Sequence, residues 1–177
     1  MAVVRKPIIL QIVGYQNSGK TTVVKKLIQL LAAENFNVAT IKHHGHGGKP
    51  DVLEGKDSSQ HISSGAYASL IEGEGRILLQ VEKNNWLLDQ QIKILESLLP
   101  DMILIEGHKN EDYPKIVLIR KVEDLDSLVR LTNIQAVLFW GEECQEMKNN
   151  LKEIPFFRMN DQAGYEWIYN YLINEWK

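Results

Sequence analysis

Residues 14–22 read GYQNSGKTT, and eight of these nine fit the pattern G-x-x-x-x-G-K-[S/T]. This stretch constrains the fold more than any other, because it functions only between a buried strand and the start of a helix. Both flanks are present. Ile8 to Val13 (IILQIV) is a nearly continuous apolar run, as expected for a strand buried on both faces. From Lys20 to about Glu34 the apolar residues fall at Val23, Val24, Leu27, Ile28, Leu30 and Leu31, which is helical spacing. Glycines at 14 and 19 permit tight bends and close backbone approach. The helix behind them offers free N–H groups and partial positive charge to a phosphate. Lys20 then reaches the terminal phosphates, and the Thr21 hydroxyl suits Mg²⁺.

The rest of the chain extends the same architecture. Val38 to Ile41 predicts a second strand, and Asp57 to Gly65 a short helix. Ala68 to Glu72 and Arg76 to Glu82, separated by Gly73-Glu74-Gly75, predict a hairpin. Leu88, Ile92, Leu95 and Leu99 mark an amphipathic helix stopped by Pro100. Strands follow at Met102 to Ile105, Ile116 to Ile119, Ala136 to Trp140 and Phe156-Phe157, and a closing helix starts near Ala163. Alternating strands and helices predict a three-layer α/β phosphate-loop fold. Its sheet is mainly parallel, with an antiparallel hairpin addition, and the whole of 1–177 forms one domain. The hairpin offers an edge on which a second subunit could pair.

Composition narrows the function. A net charge of −3 gives no general attraction to nucleic acid or to an anionic membrane. The apolar run after Arg5 and Lys6 is too short for a signal segment or a membrane span, so a cytoplasmic protein is expected. The single cysteine, Cys144, makes no internal disulfide; a reactive thiol is one reading, and an inert buried or surface cysteine is favoured because no activating pattern surrounds it.

In open α/β sheets, ligands bind beyond the carboxyl ends of the strands. Lys42 and His43 stand at one such end. Glu106 stands at another, after four apolar residues, where an acidic group would hold Mg²⁺ or its waters. Asp57 and His61 share one face of a short helix after a glycine-rich loop. Asp57 suits a switch segment that responds to a γ-phosphate and Mg²⁺, and equally a helix cap. His43, His44 and His46 raise a metal site, phosphate contacts or plain solvated histidines. Asn160 or Asp161 could contact a base or cap the closing helix. Spacing alone does not choose GTP over ATP. Three function classes follow: a nucleotide-driven adapter, a metallochaperone NTPase using the histidine loop, and a small-molecule kinase. The few scattered arginines count against the last.

GYQNSGKTT, then IKHHGHGG, then Asp57-Ser58 with His61 and Gly65-Ala66, then ILIEGHK and PKIVLIR occur in the order found in the MobB family. The chain resembles these molybdopterin-guanine dinucleotide biosynthesis adapter proteins over about residues 7 to 120. The resemblance implies a GTP- and Mg²⁺-binding homodimer with weak hydrolysis. Such a protein works beside the molybdopterin guanylyltransferase, with molybdopterin itself as a further candidate partner. Carried over by position, Gly14, Tyr15, Gln16, Asn17, Ser18, Gly19, Lys20, Thr21 and Thr22 form the phosphate loop. Asp57 and His61 form the switch motif, and Glu106 is the acidic strand end. Lys20, Asp57 and Glu106 are then the catalytic candidates, with Thr21, Asp57 and Glu106 as the metal set and Lys42 and His61 as further phosphate contacts. Gln60 departs from the family, which often has arginine there.

Overall fold

The structure is a computed structural model describing residues 5–44, 48, 57–124, 130–144 and 153–177; the side chains of 57–59 are outside the description. The chain divides into two compact units, 1–43 with 91–177 and 44–90.

The larger unit is built on a six-stranded, fully parallel sheet. Its strands are β1 (Ile8–Gly14), β2 (Val38–Lys42), β5 (Met102–Glu106), β6 (Lys115–Ile119), β7 (Ile134–Phe139) and β8 (Phe156–Arg158), in the spatial order β2-β5-β1-β6-β7-β8. Alternate residues serve opposite faces, so the central strands are apolar at most positions, with Gln11 and Lys115 as buried polar exceptions. On one face, Leu10, Ile12, Leu104, Ile116, Leu118 and Leu138 pack against two helices. These are α1 (Lys20–Ala33), which contributes Val23, Leu27 and Leu31, and α4 (Gln162–Trp176), which contributes Tyr165, Ile168 and Leu172. On the other face, Val13, Val117, Ile119, Val137, Phe139 and Phe156 form a second cluster with Cys144. Burial first, then Glu143, raises the pKa of the Cys144 thiol, as suits a structural cysteine.

Two neighbours of β1 are joined without a helix. β5 pairs with β1 from Ile8↔Met102 to Ile12↔Glu106, and β6 from Gln11↔Lys115 to Gly14↔Leu118. The exit of β5 therefore lies almost level with the entry of β6. The connection, Gly107 to Pro114, needs only to step across β1. Gln11, fully buried on β1, fastens it: its Nε2 donates to His108 O (2.8 Å) and Gly107 O (3.3 Å). Lys115 is also fully buried, and its ammonium donates to the carbonyls of Glu111, Tyr113 and Thr132 at 2.7–2.9 Å.

The smaller unit holds α2 (Asp57–Ser63) and an antiparallel pair, β3 (Ala68–Gly73) and β4 (Arg76–Val81). The expected hairpin is present, and it forms a two-stranded sheet of its own. Leu70, Ile71, Ile77, Leu78 and Leu79 are all exposed on it.

Helix α3 (Leu88–Glu96) ends earlier than its leucine spacing predicts. Leu99 takes a positive φ of 53° and is exposed, and Leu98 is exposed beside it. A residue before proline is pushed out of helical geometry, so the break precedes Pro100.

Candidate functional site

The loop between β1 and α1 is shaped by close approach. A Cβ on Gly14 would lie 2.6 Å from Ser18 Oγ and 2.8 Å from Leu118 O. Gly19 has φ 95° and would bring a Cβ to 2.8 Å from Met159 Cε and 3.1 Å from Trp140 Cζ2. Position 14 has no room for a side chain, and position 19 needs the left-handed backbone that glycine tolerates, with the Met159 tip and Trp140 close by. Asn17 at the loop tip also has positive φ, 58°. The indole of Trp140 donates to Ser18 O at 2.8 Å.

Lys20 opens α1 and turns back over the loop, donating to Gly14 O (3.0 Å) and Tyr15 O (2.6 Å). Burial lowers its pKa, Glu106 opposes that effect, and Lys42 adds to it. The Thr21 hydroxyl donates to the Glu106 carboxylate, 2.9 and 3.0 Å from its two oxygens. Lys42 is level with Glu106 in the β2–β5 register, and its ammonium lies 3.4 Å from Glu106 Oε1. Three strand ends and one helix start thus converge. Two hard oxygen donors, Thr21 and Glu106, touch each other beside two ammonium groups, a donor set that fits Mg²⁺ and phosphate.

His43 follows Lys42, and its ring stands 4.7 Å from that of His108. Burial, then His43, lowers the pKa of His108, while Glu111 works against them. Among the described residues, no group of three or more His, Cys, Asp or Glu is placed to hold a metal ion. His46 lies outside the described residues. Asp161 caps α4, accepting from Ala163 N at 2.9 Å, which is the capping alternative of the sequence reading. Asp57 and His61 lie on α2 of the smaller unit.

Of the residues expected from sequence, Lys20, Thr21, Lys42 and Glu106 stand together in the structure; Gln11, Lys115, Trp140 and Met159, which shape the surrounding loops, were not among them. Gln11 gave a signal: a polar residue inside IILQIV must find a buried hydrogen bond. Trp140 gave none, since its role depends on which strand end lies beside the loop.

The model for the family described as "MobB: Molybdopterin guanine dinucleotide synthesis protein B" matches residues 9–140. The chain is 36% identical over 176 residues, covering 99% of both chains, to a probable molybdopterin-guanine dinucleotide biosynthesis adapter protein of Bacillus subtilis. It superposes on the crystal structure of Bacillus subtilis MobB with a TM-score of 0.78 at 34% identity, covering 91% of this chain and 95% of that one. A MobB homologue from Bacillus stearothermophilus gives a TM-score of 0.73 at 32% identity, covering 94% and 98%.

Proposed function

The chain belongs to the MobB family, and from that premise we propose that it is a GTP- and Mg²⁺-binding adapter in molybdopterin guanine dinucleotide biosynthesis. It assists the guanylyltransferase that attaches GMP to molybdopterin. The observation that carries the reading is the Thr21–Glu106 contact beside Lys20, at the mouth of a loop that calls for glycine at 14 by close approach and at 19 by its left-handed backbone. Thr21 and Glu106 would hold Mg²⁺, which supplies charge neutralisation for the terminal phosphates. Lys20 exchanges its two loop carbonyls for phosphate oxygens, and Lys42 adds a second ammonium on the same side.

Hydrolysis is slow on this reading. Fast phosphoryl transfer calls for an arginine or its equivalent, worth about a thousandfold or more. The chain has none between Arg5 and Arg76. Lys42 and His61 are weaker substitutes, so turnover by the isolated protein falls below about one per minute. Asp57 and His61 enter the reading as a nucleotide-responsive segment on the strength of their motif. The exposed leucines and isoleucines of β3 and β4 support a homodimer in which a second copy covers them.

The test is capture of the guanylyltransferase from a native cytoplasmic extract on immobilised protein, with and without a non-hydrolysable GTP analogue. Analogue-dependent recovery is expected, and equal recovery in both arms would refute a triphosphate-driven adapter.

A further inference from the structure

The two ends of the phosphate loop face chemically different neighbours. Thr21, Glu106 and Lys42 lie toward β5 and β2, on one side of β1, and gather the hard oxygen and ammonium groups. On the other side, past β6, the loop meets Trp140 and Met159. Trp140 leaves the carboxyl end of β7, with its backbone N–H on Ile119 O at 3.1 Å. Met159 leaves the end of β8, with its N–H on Phe139 O at 2.7 Å. Both side chains stand where a Cβ on Gly19 would meet them. Met159 is buried, but Trp140 keeps 43% of its surface exposed although its indole N–H is already spent on Ser18 O. A half-exposed indole with a fixed N–H is a rigid aromatic surface held at the rim of the site.

Thr21 and Glu106 suit the terminal phosphates of a nucleotide, and Trp140 stands at the other side of the same loop. We propose that Trp140 is the nucleoside-side wall of the site. Its N–H positions the Ser18-Gly19 segment, and its exposed ring receives the nucleobase by stacking. The inference rests on the nucleotide reading above and adds to it a basis for base selection. Stacking rewards the larger π-face and tolerates any edge chemistry. The site therefore separates purines from pyrimidines at this residue, and discrimination between GTP and ATP lies elsewhere.

The experiment measures affinities of GTP, ATP, CTP, UTP and inorganic tripolyphosphate for the full chain and for Trp140→Phe and Trp140→Leu, with Mg²⁺ present. Tripolyphosphate has no base, so it reads the loop alone. The wild type is expected to prefer purines over pyrimidines by about tenfold. Trp140→Phe keeps that preference and weakens every ligand, tripolyphosphate included, by about fivefold through the lost hydrogen bond. Trp140→Leu still binds tripolyphosphate but brings the purine-to-pyrimidine ratio close to one. An unchanged ratio in Trp140→Leu overturns the inference while leaving the nucleotide reading intact. A wild type that binds neither GTP nor tripolyphosphate overturns the nucleotide reading, and the inference with it.

Discussion

The Thr21 hydroxyl points its one proton at the Glu106 carboxylate, 2.9 Å from one oxygen and 3.0 Å from the other, across 85 residues of sequence. The contact joins the first turn of α1 to the end of β5, and both groups are ligands of the kind Mg²⁺ selects. Glu106→Gln keeps the shape and removes the charge. We expect it to weaken GTP binding in Mg²⁺ by about 10–100-fold, and GDP far less. In the wild type, EDTA should produce the same selective loss, and in Glu106→Gln it should add little. Equal effects of EDTA on GTP and GDP in the wild type would contradict a metal linked to the γ-phosphate.

Gly19→Ala tests the loop's geometry without altering its charge. The residue sits at φ 95°, and the added methyl meets Met159 and Trp140. Strain of this kind costs about 1–3 kcal/mol. Urea unfolding should show a loss in that range together with weakened tripolyphosphate binding. Wild-type stability would mean the loop is looser than described.

Lys115 ties two loops through three backbone carbonyls, and burial lowers its pKa, partly opposed by Asp112. Lys115→Met fills similar volume but leaves those carbonyls unpaired. The expected cost is about 3 kcal/mol by chemical denaturation. A change under about 0.5 kcal/mol would show that water replaces the ammonium without penalty.

Tyr165 is buried, donates to Met159 O at 3.1 Å, and has its phenol pKa raised by burial. Its contribution is therefore fully present below the unfolded phenol value near 10 and is lost as pH rises through the higher folded value. Melting curves from about pH 9 to 11 should fall more steeply for the wild type than for Tyr165→Phe. Parallel curves would contradict this, since Lys115 and Tyr171 titrate in both proteins.

The hairpin exposes Leu70 opposite Leu79 on one face and Ile71 opposite Leu78 on the other. An isolated two-stranded sheet is marginal in water, so a covering partner is expected. Leu70→Lys with Leu79→Lys should convert a dimer to a monomer in light scattering. A wild-type monomer, or a dimer that survives both changes, would move the interface elsewhere.

The fold was readable wherever local pattern and burial agree. Ile8–Gly14, Met102–Glu106 and Lys115–Ile119 are strands because nearly every residue is apolar and both faces are covered. Lys20 and Thr21 were readable because the loop motif fixes them in sequence, and Glu106 because a carboxylate closing a buried strand points to the sheet's binding edge. The end of α3 was not legible from spacing, because leucines continue past Glu96 while Pro100 disfavours helix at Leu99. Trp140 and Gln11 escaped because their partners lie 122 and 97 residues away. Strand order, not spacing, brings them together.

The most direct test is calorimetric titration of a non-hydrolysable GTP analogue into the full chain with Mg²⁺, beside Lys20→Ala. Saturable binding at micromolar affinity or better in the wild type, abolished in Lys20→Ala, is the predicted result. No binding by the wild type, or equal affinity in the variant, would contradict it.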